Sequence, residues 1–279
     1  MIVYFNGEFM PKEEAAISPD DRGFLFGDGA YEVIRTYEGK PFRGKDHLER
    51  LARSLRELRI SCRELENLGG IAERLIRETN LETGEALVYI EVTRGAAPRK
   101  HAFPTGNIPP TVYVTASPFV PSGRDRDLGI GVILLPDIRW SRCDIKSIAL
   151  LPNVLANQQA GERGAGEALF VREGVVTEGS HTNFCAVFDG ELVTHPQTNH
   201  ILPGITRKVV LELCSELEIP FREEPIFLDG LKRASELMIV GTTCEVTPVV
   251  QVEEWRVGDG SPGPVTRRLQ QAFSRLATA

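Results

Sequence analysis

Ser117-Pro-Phe-Val-Pro-Ser-Gly-Arg-Asp-Arg-Asp-Leu128 is the stretch that divides this sequence into two parts. It concentrates proline, glycine and charge, a composition typical of exposed connections between domains. We therefore predict a smaller N-terminal domain over residues 1–117, an interdomain linker over 118–128 and a larger C-terminal domain over 129–279.

Both parts mix strand and helix patterns. The chain starts with short apolar runs and the turn signals Asn6-Gly7 and Ser18-Pro-Asp-Asp21, as in β-hairpins. Spacing of apolar residues then predicts helices over 45–60, 71–76, 152–163, 205–217 and 264–277, and strands over 87–92, 112–115, 129–135, 167–171, 184–188 and 236–240. Because strands and helices do not alternate regularly from end to end, we expect an α+β fold of two α/β domains and not one doubly wound sheet.

Composition excludes several classes of protein. Of the 279 residues 42% are apolar, and 39 acidic against 32 basic residues give a formal net charge of −7. An acidic chain has no global attraction for nucleic acid. No apolar run approaches the roughly 20 residues of a membrane span, and no signal segment follows Met1. We expect a soluble, cytoplasmic protein of enzyme size that binds neither nucleic acid nor membrane.

The cysteines and histidines do not predict a metal site. The five cysteines are scattered without a Cys-x-x-Cys pair, and the five histidines lack helical spacing for a metal. Most of the cysteines are expected to be small buried apolar residues. We therefore expect no metal.

Two residues could carry chemistry in the second half of the chain. Lys146 lies between apolar runs, so it is either a surface lysine with a buried stem or a partly buried amine suited to Schiff-base formation. Glu178 lies in the polar turn Thr177-Glu-Gly-Ser-His-Thr-Asn183, which is either an ordinary turn or a place to present a carboxylate to a positive heterocyclic nitrogen. The residues by themselves leave both alternatives open.

Two further segments could bind phosphate. Leu202-Pro-Gly-Ile-Thr-Arg207 opens a helix, whose unpaired backbone amides and dipole bind phosphate well and to which Thr206 can add a hydroxyl; ordinary capping is the simpler alternative. Gly241-Thr242 ends a strand, where glycine permits close approach of a phosphate to the backbone.

A basic loop could bind a carboxylate. Pro98-Arg-Lys-His101 offers a bidentate guanidinium at Arg99 and a ring nitrogen at His101, whereas a solvated basic loop is the simpler alternative. Tyr31 follows a glycine-rich turn and is either a packing residue or a donor to the same ligand.

In this order the segments resemble the fold-type IV aminotransferases, which bind pyridoxal 5'-phosphate between two domains. The segments that carry the resemblance span nearly the whole chain: Asp21-Arg-Gly-Phe-Leu-Phe-Gly-Asp-Gly-Ala-Tyr-Glu32, His47-Leu-Glu-Arg-Leu51, Asp144-Ile-Lys-Ser147, Thr177-Glu-Gly-Ser180, Gly204-Ile-Thr-Arg207 and Glu245-Val-Thr-Pro248. Two longer segments, 92–104 and 137–146, are similar to the D-amino-acid transaminase branch of the family.

The resemblance implies a role for each candidate. Lys146 would form the Schiff base with pyridoxal phosphate and shuttle the α-proton, and Glu178 would pair with the pyridine nitrogen. The residues implied around the phosphate are Arg50, Ile205, Thr206, Gly241 and Thr242, with Gly241 where the family pattern places a serine. Tyr31, Arg99 and His101 match the family's trap for the substrate carboxylate. In the family a neighbouring subunit lends that loop, so a homodimer is implied.

The implied reaction transfers the amino group of D-alanine or a similar D-amino acid to a 2-oxo acid such as 2-oxoglutarate. Three alternatives remain at this point. An L-branched-chain aminotransferase uses the same cofactor with the opposite hand, but gives no reason for the loop of Arg99 and His101. An aminodeoxychorismate lyase is less favoured. A binding protein without activity would not need both Lys146 and Glu178.

Overall fold

The structure is a computed structural model that describes residues 1–278, and it separates into two compact units. The first comprises Met1–Val120 and Ile145–Leu150; the second comprises Pro121–Asp144 and the chain from Leu151 onward. The segment with Lys146 thus returns to the first unit. The domain ranges given above stay a prediction, and Ala279, the last residue of the second, lies outside the described residues.

The first unit is an antiparallel sheet of six strands, with two long helices packed on one face. The strands are β1 (Ile2–Phe5), β2 (Glu8–Pro11), β3 (Gly29–Tyr37), β4 (Lys40–Pro41), β5 (Glu85–Thr93) and β6 (Thr111–Pro118) in the order β2-β1-β6-β5-β3-β4. The helices are α1 (Arg22–Phe26), α2 (Gly44–Leu58) and α3 (Leu68–Glu78), with short 3-10 helices at Lys12–Glu14 and Arg63–Asn67.

Alternation along the strands decides which face of this sheet is buried. Val88, Ile90 and Val92 of β5 are fully buried, whereas Tyr89 and Glu91 between them are half-buried on the other face. Leucines of α2 and α3 cover the buried face and complete the core of the first unit. The opposite face carries Tyr31 beside Glu91, so polar side chains can be presented there.

The second unit contains ten strands and four helices. Its strands are β7 (Ile130–Pro136), β8 (Glu167–Arg172), β9 (Val175–Gly179), β10 (Asn183–Phe188), β11 (Glu191–Thr194), β12 (Phe221–Glu223), β13 (Ile226–Phe227), β14 (Glu236–Gly241), β15 (Glu245–Val252) and β16 (Trp255–Arg256). Its helices are α4 (Gly123–Leu128), α5 (Leu151–Glu162), α6 (Ile205–Glu216) and α7 (Pro264–Ala277), with a 3-10 helix at Leu228–Arg233.

Six of these strands close into a ring. The sheet follows the order β12-β11-β10-β14-β15-β7-β8-β9-β13, and an additional pairing joins β9 to β10. That closing pair is Glu178 opposite Asn183. Ring closure therefore holds Glu178, the predicted cofactor-binding carboxylate, at a fixed point of the sheet.

The predicted α+β class is confirmed. Part of the predicted linker is helical, because the Ser122 hydroxyl accepts the Asp125 amide at 3.4 Å and caps α4. α4 then packs within the second unit, where Gln270 of α7 donates to the carbonyl of Arg126 at 2.8 Å. Within residues 1–278 no helix is long and apolar enough to cross a membrane.

Candidate active site

Lys146 lies where residues 145–150 run beside the beginning of β3. The Tyr31 amide donates to the carbonyl of Lys146 at 3.0 Å, and the Lys146 amide donates to Ser54 Oγ at 3.2 Å. The half-buried side chain places Nζ 4.2 Å from the centroid of the Tyr31 ring. No carboxylate of residues 1–278 forms an ion pair with Nζ. Backbone hydrogen bonds therefore hold Lys146 in place, while its side-chain amine can react.

Arg50 is fixed by a buried carboxylate on β3. Glu32 is completely buried and accepts Arg50 Nε at 2.7 Å, Arg50 Nη2 at 2.8 Å and His47 Nδ1 at 2.7 Å. Burial alone would raise the pKa of Glu32, but the charge and hydrogen bonds of Arg50 outweigh it and hold that pKa at about 2. The ionised pair orients the guanidinium on the first turns of α2.

Arg99 and His101 lie together on the exposed loop between β5 and β6. The Arg99 guanidinium carbon lies 5.2 Å from the centroid of the Phe26 ring, and the His101 ring lies 5.6 Å from the same ring. Within residues 1–278, no hydrogen bond or ring contact joins Tyr31 to either of them. The structure thus brings two of the three predicted carboxylate-binding residues together, and Tyr31 joins Lys146 instead.

Glu178 is the buried carboxylate of the second unit. It accepts Arg139 Nη1 at 2.5 Å, Asn183 Nδ2 at 3.0 Å and the Leu202 amide at 2.9 Å. Three donors on three different segments aim the carboxylate in one direction. The side chain has no freedom to turn toward solvent.

Burial raises the pKa of Glu178 to about 7, against the opposing effect of Arg139. Arg139 does not fully offset burial because it is shared: its Nε and Nη2 donate to Asp137 at 2.9 Å each. Asp137 is also a negative charge beside Glu178, which raises the pKa further. Glu178 is consequently poised to gain or lose a proton near neutral pH.

The beginning of α6 forms an uncapped turn. Gly204 is the N-cap residue, no side chain caps the helix, and its first turn contains no acidic residue. Ile205 and Thr206 are 8% and 5% exposed. A Cβ on Gly204 would stand 1.9 Å from Asn183 Oδ1, so only glycine lets this helix start so close to the Glu178 cluster. Amides, a hydroxyl and the helix dipole here suit a phosphate.

Gly241 and Thr242 lie half-buried at the end of β14. A Cβ on Gly241 would lie 3.2 Å from Cys244 Sγ and 3.5 Å from Thr182 Cγ2, which is tighter than most packing distances at the first contact. A serine at this position would therefore press on Cys244. The turn Gly241-Thr242-Thr243 fits glycine as the sequence has it.

Sequence reasoning missed three residues of these clusters. Glu32, Arg139 and Asn183 stood in the quoted segments, but none received a role. The spacing Asp137-x-Arg139 was a signal for a local ion pair, since alternate residues of an extended segment share a side. Neither the pairing of Arg139 with Glu178 nor that of Glu32 with Arg50 could be found from spacing, because each depends on the fold. Among residues 1–278 no cluster of histidine, cysteine and acidic side chains could hold a metal.

Comparison with known proteins shows the family of this chain. A family model for class IV aminotransferases matches residues 29–252. The D-alanine aminotransferase of Staphylococcus haemolyticus is 44% identical over 274 residues, 98% of this chain and 96% of that protein. The branched-chain amino acid aminotransferase of Escherichia coli has the same fold, with a TM-score of 0.92 and 29% identity over 99% of this chain and 94% of the other.

A second solved structure, the T.th. branched-chain amino acid aminotransferase complexed with N-(5'-phosphopyridoxyl)-L-glutamate, has a TM-score of 0.90 and 29% identity over 99% of this chain and 94% of its own. The family model covers most of the chain, and the relatives match it almost from end to end. This chain belongs to the class IV aminotransferase family.

Proposed function

We propose that this protein transfers the amino group of D-alanine and similar small D-amino acids to 2-oxo acids such as 2-oxoglutarate. The observation that carries the proposal is that Arg99 and His101 lie on one loop beside the same Phe26 ring, in a chain 40–44% identical over nearly its full length to proteins named D-alanine aminotransferases. A guanidinium and an imidazole can grip the carboxylate that every amino acid substrate carries.

The cofactor of this family is pyridoxal 5'-phosphate, and the residues present fit it in kind. A phosphate suits the uncapped start of α6, with Ile205 and Thr206, and the turn at Gly241 and Thr242. Arg50 would add a fixed positive charge. Glu178 would face the ring nitrogen, and Lys146 would hold the aldehyde carbon.

When bound, pyridoxal phosphate supplies an aldehyde that condenses with amines and a ring that delocalises the electrons left behind when the α-proton departs. In our proposal Lys146 Nζ would take that proton from the substrate's α-carbon and would give it back to the carbon on the other side of the transferred nitrogen. Tyr31 limits where Nζ can move, because the ring lies 4.2 Å from it. A single amine positioned for both transfers acts as general base and then as general acid.

Glu178 keeps the ring nitrogen positive in this proposal. An ionised carboxylate in a buried site stabilises a nearby cation strongly. The Arg139, Asn183 and Leu202 donors hold that carboxylate without neutralising it completely, since Arg139 is shared with Asp137. A ring held positive by Glu178 would withdraw electrons more effectively from the reacting carbon.

The hand of the substrate depends on the side from which its carboxylate is gripped. The α-hydrogen has to face Lys146, so exchanging the carboxylate pocket with the side-chain pocket exchanges D for L. We assign the carboxylate to Arg99 and His101, with Tyr31. An arginine fork is suited to this because its charge is permanent and its geometry bidentate.

We further propose a homodimer in which the loop of Arg99 and His101 completes the partner's site. Support comes from exposed apolar residues on one side of α5: Leu151, Val154 and Leu155 are 68%, 58% and 56% exposed. An apolar stripe of this kind is typical of an interface. The lack of contact between Tyr31 and the loop within residues 1–278 fits a loop that serves another copy.

The test is an assay of the purified protein with 2-oxoglutarate and either D-alanine or L-leucine. We expect glutamate to form with D-alanine. Glutamate from L-leucine but not from D-alanine would favour the alternative, an L-branched-chain aminotransferase. Two observations support that alternative: the fold similarity to the Escherichia coli enzyme and the Gly241-Thr242 turn. Pyruvate from aminodeoxychorismate without an amino acceptor would instead indicate a lyase.

The assignment of Lys146 has its own test. Borohydride reduction of the cofactor-loaded protein, followed by peptide mapping, should find the label on Lys146. A label on another lysine would overturn the assignment.

A cytoplasmic location also stays a prediction, which cell fractionation checks.

A further inference from the structure

We propose that Arg22 is a positioning residue that holds the loop of Arg99 and His101 in the conformation that binds a substrate carboxylate, an inference that rests on the proposed function. Arg22 belongs to the segment Asp21-Arg-Gly-Phe-Leu-Phe-Gly-Asp-Gly29, which resembles the family. None of the proposed cofactor or substrate contacts involves Arg22.

Arg22 donates to three successive carbonyls of the loop. Its Nη1 lies 2.6 Å from the carbonyl oxygen of Lys100 and 3.5 Å from that of Ala102, and its Nη2 lies 3.5 Å from that of His101. The side chain is 3% exposed. One buried guanidinium therefore fixes the backbone directly around His101 and next to Arg99.

The guanidinium is itself held by a buried ion-pair cluster. Arg22 Nε donates to Asp28 Oδ2 at 2.8 Å, and Arg94 donates to both oxygens of Asp28 at 2.8 and 2.9 Å. Arg94 also donates to the carbonyls of Leu58 and Arg59 at the end of α2, at 2.7 and 3.0 Å. Although burial would raise the pKa of Asp28, the two arginines outweigh it and lower that pKa. Arg22 is thus anchored to the rigid part of the first unit.

The first residues of the loop are also held by the segment that contains Arg22. The Arg22 amide donates to the carbonyl of Gly95 at 3.0 Å, and the Ala97 amide donates to that of Asp20 at 3.1 Å. Beyond Ala97 the backbone is exposed, and the Arg22 side chain is what holds residues 100–102.

Arg99 and His101 depend on this support. Within the described chain neither side chain forms a hydrogen bond or an ion pair, and each lies beside the Phe26 ring, which the Arg22 guanidinium also covers at 4.8 Å. Without a fixed backbone, a substrate would have to order both side chains when it binds. Ordering the loop in advance removes that cost from the binding step.

The experiment compares the R22M variant with an R74M control. Arg74 also pairs with one carboxylate, Glu78, and covers one ring, Phe9, but it is half exposed on α3. We expect R22M to raise the KM for D-alanine and for 2-oxoglutarate about tenfold, the effect of losing hydrogen bonds from a charged donor. Cofactor absorbance and cofactor affinity should stay at the wild-type values, and R74M should change nothing.

A double variant separates positioning from general damage. If Arg22 acts through the loop, R22M should add little to the KM of an R99A/H101A variant, because both groups it positions are already gone. Additive effects, or a loss of cofactor affinity in R22M, would overturn the proposal. If R22M does not fold, R22K replaces it with the same expectations, since an ammonium keeps a charge beside Asp28 but cannot span the carboxylate and three carbonyls.

Backbone dynamics provide a readout that does not depend on activity. We expect the NMR order parameters of the amides of residues 99–103 to be about 0.85 in wild type and to fall below about 0.6 in R22M, while those of β5 stay near about 0.85. Unchanged order parameters in the loop would contradict positioning by Arg22. A more mobile loop in a protein that does not use D-alanine would leave the role of Arg22 standing and reject the proposed substrate instead.

Discussion

At the scale of single residues, two buried carboxylates are driven in opposite directions by their surroundings. Glu32 accepts two hydrogen bonds from Arg50, whose charge outweighs the effect of burial, and its pKa falls to about 2. Glu178 shares Arg139 with Asp137, and burial raises its pKa to about 7. The first carboxylate is permanently ionised and structural, whereas the second can respond to a positive group brought beside it.

Glu178 should leave a pH signature in the cofactor-free protein. Its folded pKa of about 7 exceeds its ordinary value of 4.5. The penalty for an ionised Glu178 is therefore absent below pH 4.5, grows as the pH rises and is complete above about pH 7, where it reaches about 3 kcal/mol. Urea unfolding should show an E178Q variant gaining stability relative to wild type across this window. A difference independent of pH would contradict the shift.

Glu32 should show the opposite dependence. Its folded pKa lies below 4.5, so its stabilisation is present above pH 4.5 and is lost as the pH falls toward 2. We expect E32Q to lower the free energy of unfolding by about 3 kcal/mol at neutral pH, because it leaves Arg50 buried without its countercharge. The loss should shrink in acid.

Cofactor affinity should fall as well in E32Q, since Arg50 is no longer oriented. The matched control is E78Q, which breaks the partly exposed pair with Arg74 and should cost less than about 1 kcal/mol. Equal losses of unfolding free energy in E32Q and E78Q would mean that the buried Glu32 cluster stabilises the protein no more than a surface ion pair does.

At the scale of elements, the start of α6 depends on glycine. We expect G204A to weaken binding of pyridoxal phosphate at least about tenfold, because the new Cβ displaces Asn183, which also holds Glu178. The control is G161A on α5, where a Cβ meets nothing within 4 Å and should stabilise the helix by up to about 1 kcal/mol. Cofactor titration and thermal unfolding measure the two effects.

The helices could be predicted well and the sheet closure could not. Apolar residues at helical spacing predicted the helix over 205–217, which the structure has at Ile205–Glu216, because a helix buries one face of its own sequence. The ring pairing of Glu178 with Asn183 has no local signal. The same holds for Arg139, whose importance comes from a partner 39 residues away in the chain. The short helix α4 could not be predicted, because charged residues and glycine are also typical of linkers.

At the scale of the whole molecule, the exposed stripe on α5 should decide the oligomeric state. We expect a V154R/L155R variant to shift from dimer to monomer in sedimentation experiments and to lose most of its transamination, because no partner would supply the loop. The control is F227R, which changes another apolar residue, 58% exposed on β13. A wild-type monomer with full activity would contradict the shared site.

Transamination of D-amino acids can be tested with the amino donor alone, because the first half of the reaction needs no acceptor. The cofactor-loaded protein is mixed with D-alanine or L-alanine, without an acceptor, and released pyruvate is measured together with the change in cofactor absorbance. We predict about one equivalent of pyruvate per bound cofactor with D-alanine and almost none with L-alanine. Pyruvate from L-alanine alone would contradict the assignment of the substrate carboxylate to Arg99 and His101.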